Sequence, residues 1–582
     1  MADDHDPRVT DSSVSRRAFL KAAGVGPLLA GAVPAAVLFQ GSTAKAQQPT
    51  MQEADVLVVG SGAAGSAAAL IASIGGAEVI VLDAGATPGG TTAKSGGGYW
   101  IPNNHRMRER GVRDDKQQCL AFMARLSYPT LYQPKASQFG LPDDLFALLD
   151  TFYDNASPVI DVLHGHGVGD LEPQRSSVIA APEGDGYPEV AEHSKTIIGR
   201  LLQPTDLAGS RRGGGALLVD QFQSALAVRG VRTLLEHRVT RVGTNTRGEL
   251  AGLEAENAGR RVVFRARKGI VFGTGGFIMN PELCRNYLKG PVFGGCAAAT
   301  NQGELINLAG SMGAKLGNMS SAWWAGVIVE QTLQSRSVPS AVFTIPGDSI
   351  LLVNCEGRRC TDEKSQTQER TPSHFAWDPT RLRFPNLIQA AVFDQRCREM
   401  FAGPAETSLI PPKSVTAPHL LTAPTLNELA ARIDARLAQI ADRTGNFRLD
   451  PEFASRLSAT VARFNEYAKT GVDPDFERGR TASRRAGAAP NPTMYPLASG
   501  GPYYAVLIGA GTRDTNGGPV INAKAQIIRM DGTPIPGLYG AGNCIASPVG
   551  QGDWGAGGTL GPAITFGAIA GKYAAAEPVK EL

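Results

Sequence analysis

Three groups of residues in this chain have the types and spacings that chemistry needs. Gly60, Gly62 and Gly65 form a GxGxxG pattern. The first glycine permits a tight turn, the second lets a backbone approach a pyrophosphate, and the third lets a helix pack closely on a strand. Ala63 and Ala64 then open the helix whose N-terminus would face the phosphate. Asp83, eighteen residues beyond Gly65, is placed with Ala84 to receive ribose hydroxyls. In the second group, Gly89, Gly90, Thr91, Thr92, Ser95, Gly96, Gly97 and Gly98 offer backbone amides and small hydroxyls along an extended ligand. The third group is split across the chain: Thr274, Gly275 and Gly276, then Gly542 and Asn543, then Asp553 and the turn Gly557, Gly558, Thr559 and Leu560.

These groups need particular elements to position them. Asp55 to Val59 is a short, continuously apolar, β-branched run, as expected of a strand buried on both faces. It runs into the glycines, Ser66 to Ile74 reads as an alanine-rich helix, and Glu78 to Leu82 as a second strand ending at Asp83. Strand, glycine turn, helix, strand and acid make one βαβ unit that binds a dinucleotide. The small-residue stretch after Asp83 favours FAD over NAD, because a nicotinamide fold has no need of it. Gly537 to Asn543 reads as a late strand passing the ribityl chain, and the turn from Gly557 to Gly561 aims a helix N-terminus at the pyrimidine edge of the flavin, where negative charge gathers on reduction.

Further along the chain, helices are expected over Lys116 to Arg125 and Asp144 to Leu163, a glycine break at Gly213 to Gly215, and strands over Val231 to Leu235, Leu250 to Ala255, Arg261 to Phe264 and again Gly269 to Phe272. From about residue 321 to 502 glycines thin out, and Leu426 to Gln439 and Pro451 to Thr470 read as amphipathic helices. The predicted fold is α/β: a Rossmann-type FAD-binding domain with a parallel sheet, split between residues 50–320 and 503–582, and an α+β substrate or cap domain inserted at 321–502.

Length and composition agree with this. A chain of 582 residues can bury two or more cores. A net charge of +3 with 19% charged residues leaves no basic stripe for nucleic acid. The first residues read as an address: Ser15-Arg16-Arg17-Ala18-Phe19-Leu20-Lys21, an apolar stretch from Ala22 to Phe39 broken by glycines and prolines, and Ala44-Lys45-Ala46. This pattern predicts twin-arginine export machinery as a partner, a signal over residues 1–46 with cleavage after Ala46, a periplasmic location and no stable membrane span afterwards. The seven cysteines show no zinc or haem-attachment spacing, so no metal site is expected.

The motifs together resemble the flavoprotein family of fumarate reductases and 3-ketosteroid dehydrogenases, over nearly all of the chain after the signal. The 3-ketosteroid Δ1-dehydrogenase branch is closer. Gly96 to Asn104, the Pro502-Tyr503-Tyr504-Ala505 strand, Thr515-x-Gly517-Gly518 and Gly557-x-x-Leu560-Gly561-x-Ala563-x-x-Phe566 carry the likeness. The resemblance implies a substrate sandwiched between flavin and cap, and 1,2-desaturation beside a carbonyl. Such chemistry needs donors for the carbonyl oxygen, a base for the adjacent proton, and flavin N5 to take a hydride from the next carbon.

The resemblance puts the family's oxyanion glycine on Gly557 and its hydroxyl-donating tyrosine on Asp553. An ionised Asp cannot donate to a carbonyl. Either Asp553 is protonated by burial, or it abstracts the proton, which we favour, or Gly557 works with another donor. The family's cap tyrosine falls on Thr367, leaving Tyr187 as a further acid/base candidate. The arginines with which fumarate reductases clamp dicarboxylates fall on Trp554 and Thr367. Trp100, Trp323, Trp324, Tyr504 and Trp554 are the expected wall of an apolar, ring-sized pocket, and Arg513 and Asp514 are expected near the flavin edge. The resulting expectation is an FAD-dependent dehydrogenase acting on a small apolar, cyclic, steroid- or terpenoid-like ketone and passing electrons to a quinone or another periplasmic acceptor. An ene reductase running in reverse and a substrate-free electron relay are the rivals.

Overall fold

The computed structural model describes residues 51–169, 199–205, 214–247, 249–404, 407–479 and 491–580. The signal at 1–46 and Tyr187 lie outside the described residues. Strand Met51–Val59 sits inside an eight-stranded sheet, flanked in parallel by Val79–Leu82 on one side and Arg260–Phe272 on the other. Arg232–Leu234 extends the sheet beyond Val79–Leu82, and Pro534–Gly540 extends it beyond Arg260–Phe272. Val56 to Val59, Val79 to Leu82 and Ile270 to Phe272 are all buried, which is why these runs are apolar throughout rather than alternating.

One strand differs from expectation. Arg261 to Phe264 and Gly269 to Phe272 are parts of a single strand, Arg260–Phe272. Its first half pairs antiparallel with Leu250–Asn257, and its second half pairs in parallel with Pro534–Gly540. The basic residues between the halves stay in the strand because Arg265 and Arg267 pair with Glu53, and Arg267 also with Asp55, across the neighbouring strand.

Helix Ala63–Ile74 packs on helix Leu560–Ala576 at backbone distance. A Cβ on Gly567 would lie 2.2 Å from the Ala64 carbonyl oxygen, and one on Gly571 would lie 2.1 Å from that of Ala68. Small residues on both helices bring the C-terminal segment against the first βα turn, so the two ends of the chain share one core.

The inserted region builds a second sheet from Ala322–Ile328, Ile350–Val353, Ile388–Asp394 and Leu421–Ala423, covered by helices Leu426–Gln439 and Phe453–Thr470. Strand Tyr503–Thr515 lies at its centre, antiparallel to Ala322–Ile328 on one side and to Ile388–Asp394 on the other. The expected boundary at 502/503 is therefore too early, because this strand belongs to the cap sheet. Its thirteen residues are long enough to begin in the cap and end, at Arg513 to Thr515, against the glycines of the nucleotide domain. Among the described residues no helix is long and apolar enough to cross a membrane, and the cysteines form no disulfide.

Candidate active site

The site starts at the first βα turn. Gly60 has φ +101° and a Cβ there would lie 2.4 Å from the Gly273 carbonyl oxygen, so the turn and the crossing of two strands both require glycine. A Cβ on Gly65 would fall 1.8 Å from the Gly60 carbonyl oxygen, which reserves that position for helix-on-strand contact. Gly62 differs: a Cβ there would meet nothing closer than the Thr92 hydroxyl at 3.5 Å, and one on Gly96 would meet nothing within 4 Å. Those two glycines keep space open instead of avoiding a clash.

The space is a cavity of about 1430 Å³. Pockets for one small ligand span about 300 to 1,000 Å³, so this one has room for a dinucleotide and a second molecule. Gly60, Gly62, Ala63, Ala64, Asp83, Ala84, Gly89 to Thr92, Ser95 to Gly98, Thr274, Gly275, Gly542, Asn543, Gly557, Thr559 and Leu560 line it. Gly65, Gly276 and Gly558 do not; they pack behind it. Helices Ala63–Ile74 and Leu560–Ala576 both begin on this cavity, neither capped by its own N-cap side chain, and the Ala63 amide donates to the Thr92 hydroxyl at 3.0 Å. Their dipoles, with the first-turn amides not taken by Thr92 or by the Gly557 and Thr559 carbonyl oxygens, are directed at whatever fills it, a fit to the diphosphate at one end and to the electron-rich flavin edge at the other. Asp83 also holds the turn, accepting from the Ser61 amide at 2.7 Å, the Ser61 hydroxyl at 2.6 Å and the Gly85 amide at 2.7 Å.

At the junction with the cap a hydrogen-bonded chain closes the site. Asp514 Oδ2 accepts from the Gly276 amide (2.9 Å), Asn301 Nδ2 (2.7 Å) and Asn543 Nδ2 (3.2 Å). Burial raises its carboxyl to about 6 despite these donors. Asn543 Oδ1 in turn accepts from Trp323 Nε1 at 2.9 Å, and the Arg513 guanidinium lies over the Trp323 ring at 5.3 Å. Arg513 donates to Asp553 Oδ2, while Asp553 Oδ1 accepts from the Gly555 amide at 3.1 Å. Trp323, Arg513, Asp514, Asp553 and Gly557 all line the cavity. Gly557 has φ +85°, and a Cβ there would strike the Trp100 amide nitrogen at 2.6 Å. Its carbonyl accepts from the Trp100 and Gly561 amides, and its own amide donates to no other described residue.

Four aromatic residues expected on the wall are elsewhere. Trp100 and Trp554 are fully buried in an aromatic core with Phe122 and Phe152, and Trp554 Nε1 donates to the Ser127 hydroxyl at 2.9 Å. Trp324 alternates with Trp323 along its strand and so faces away, against Phe375. Tyr504 stacks on Phe393 within the cap core, its hydroxyl donating to Gln395. Apart from Thr367, the sequence missed the cap wall, which consists of residues 339–347, 400–404 and 407–409 with Lys364 to Thr367 and Arg370. Thr367 is at the cavity, its hydroxyl 3.5 Å from the Val342 carbonyl oxygen.

A family model described as an FAD binding domain matches residues 55–560. A 4-oxocyclohexanecarboxylate 2-dehydrogenase of Sinomonas cyclohexanicum is 30% identical, covering 90% of this chain and 93% of its own. A 3-oxosteroid 1-dehydrogenase of Mycobacterium tuberculosis is 29% identical over 90% of this chain and 99% of its own. The crystal structure of a 3-ketosteroid Δ1-dehydrogenase from Sterolibacterium denitrificans has the same fold, with TM-score 0.74, 23% identity and coverage of 90% of this chain and 100% of its own. With two helices starting on a cavity that has room for a dinucleotide, the chain belongs to the FAD-binding-domain family and is an FAD-dependent dehydrogenase acting on CH–CH groups.

Proposed function

We propose that the enzyme desaturates the carbon–carbon bond next to the carbonyl of an apolar cyclic ketone. The observation that carries this reading is the extension of one cavity from the dinucleotide turn, past Asp553 and Gly557, to a cap wall of Val342, Phe343, Ile345, Met400, Phe401 and Leu409. An electron relay needs no such chamber, and an apolar wall suits a hydrocarbon ring. The names of the relatives at 30% and 29% identity specify ketones on six-membered rings or steroids, which supports the same class.

In this reading Gly62 to Ala64 and Ser95 to Gly98 cradle the diphosphate and ring of FAD, and Asp83 takes the ribose. FAD supplies the hydride acceptor. The Gly557 amide donates to the substrate's carbonyl oxygen and stabilises the charge that develops there. Asp553 accepts the proton from the carbon beside the carbonyl, and Arg513 and the Gly555 amide hold its carboxylate in place. The acidic carbon gives up a proton, its neighbour a hydride, and the remaining electron pair becomes the new double bond. Export and delivery of electrons to a quinone or another periplasmic acceptor complete the proposal, supported by the twin-arginine pattern at the N-terminus.

The test is anaerobic mixing of the oxidised holoenzyme with saturated cyclic ketones, followed by absorbance and product analysis. Flavin bleaching coupled to enone formation is expected. Reoxidation of reduced enzyme by enones, without bleaching by ketones, would assign the reverse reaction instead.

A further inference from the structure

Two cations at the cap end of the cavity, Lys364 and Arg370, bond backbone carbonyl oxygens rather than a carboxylate. Lys364 lines the cavity and donates from Nζ to the carbonyl oxygens of Ile345, at 2.6 Å, and Gly347. An ammonium has three N–H donors, so one remains. Arg370 is buried, also lines the cavity, and gives all its hydrogen bonds to carbonyl oxygens: Ser365 at 2.6 Å, Val342 and Phe343 at 3.2 Å each, and Glu363 at 3.5 Å. Neither residue forms an ion pair with another described residue.

Three buried carboxylates of the cap are already committed, and Asp348 is held by Arg396. Glu363 is held by Arg359 at 2.8 Å and Arg478 at 3.2 Å, and Asp473 by Arg359 at 2.8 Å. Asp362 and Glu369 favour the Arg370 charge from a distance without bonding its guanidinium, and Glu369 is exposed. A buried charge is costly unless a partner of opposite sign or a full set of hydrogen bonds offsets it. Burial, reinforced by Arg478 and Arg370, lowers the Lys364 ammonium to about 7, with Cys397 and Glu363 opposing.

We infer that Lys364, backed by Arg370, forms an anion subsite that takes a carboxylate carried by the ketone substrate at the end opposite its reacting carbonyl. This rests on the reading of the cavity as a ketone site and narrows its substrate to acids. The apolar wall takes the ring, the free Lys364 N–H takes the acid, and a neutral ketone of the same size leaves that donor without a partner. The two backbone carbonyls fix the ammonium, so little side-chain freedom is lost on binding.

The subsite can be tested without turnover, using ligands that lack a ketone. Cyclohexanecarboxylate and cyclohexanecarboxamide are titrated into the holoenzyme and read from perturbation of the flavin spectrum. A hydrogen bond to a charged group corresponds to roughly tenfold to a hundredfold in affinity, so the acid is expected to bind at least about tenfold more tightly than the amide. In Lys364→Gln the ratio should fall towards one, whereas in Lys364→Arg, which keeps the charge, a preference for the acid should persist. Flavin content and melting temperature report whether each variant is folded. Equal binding of acid and amide by the parent enzyme, binding of neither, or an unchanged ratio in Lys364→Gln overturns the subsite. Failure of cyclic ketones to bleach the flavin would instead overturn the desaturation reading and leave this result standing.

Discussion

Two aspartates thirty-nine residues apart, Asp514 and Asp553, are brought to the same cavity and have different surroundings. Asp553 has Arg513 on one oxygen and the Gly555 amide on the other, an arrangement that orients a carboxylate. Asp553→Asn keeps the size and the Gly555 contact but removes the basicity. We expect it to slow ketone-driven flavin reduction by about 10² to 10⁴-fold, with the flavin spectrum retained, as measured by anaerobic stopped flow. Asp514 is fully buried among amide donors and its carboxyl is raised to about 6 from 3.8. A raised carboxyl binds its proton more tightly in the folded chain. Its contribution to stability is therefore fully present below about pH 3.8 and is lost as pH rises through about 6, an effect on the order of 3 kcal/mol. The melting temperature of the parent enzyme minus that of Asp514→Asn should fall between pH 4 and pH 7; a flat difference would contradict the assignment. Asp553 could be marked as a candidate from its place before Gly557, but its partner Arg513 lies forty residues upstream, and no local spacing links the two.

At the level of elements, the first βα turn separates two uses of glycine. Gly65 is closed in by the Gly60 carbonyl oxygen, whereas Gly62 has φ −67° and an open approach to the cavity. Gly65→Ala forces helix Ala63–Ile74 off its strand and should lower the melting temperature together with flavin content. Gly62→Ala fits the backbone and should leave the melting temperature of the flavin-free protein nearly unchanged, while weakening FAD binding at least about tenfold because its methyl occupies ligand space. Comparison of flavin content with thermal melts separates the two outcomes. The triplet itself was legible because its spacing is local. The Trp100–Trp554 core was not: tryptophan marks a pocket wall and an aromatic core equally well by type, and only packing against Phe122 and Phe152 decides between them.

At the scale of the whole molecule, strand Tyr503–Thr515 joins the two halves. It is central to the cap sheet and ends on the glycines of the nucleotide domain. Excision of residues 322–502 should therefore not yield a simpler flavoprotein. It would strip the neighbouring strands from the apolar run Tyr503 to Ile508, leaving pairing only with Phe293 to Cys296 near the far end of the strand, and an exposed apolar edge is prone to aggregation. Soluble expression of the excised chain with stoichiometric flavin, read by absorbance of the soluble fraction, would contradict this account.

The sequence alone determined the βαβ unit, the dinucleotide cofactor, the split domain and most of the residues lining the nucleotide half of the cavity. These follow from periodicity, glycine spacing and apolar runs, each set within about thirty residues of chain. Tertiary structure alone decided which tryptophan meets the cavity, that Arg513 holds Asp553, and that Lys364 and Arg370 stand at the cap end without carboxylate partners. Those outcomes depend on contacts between segments tens to hundreds of residues apart, where burial and pairing, rather than residue type, set what a side chain can do.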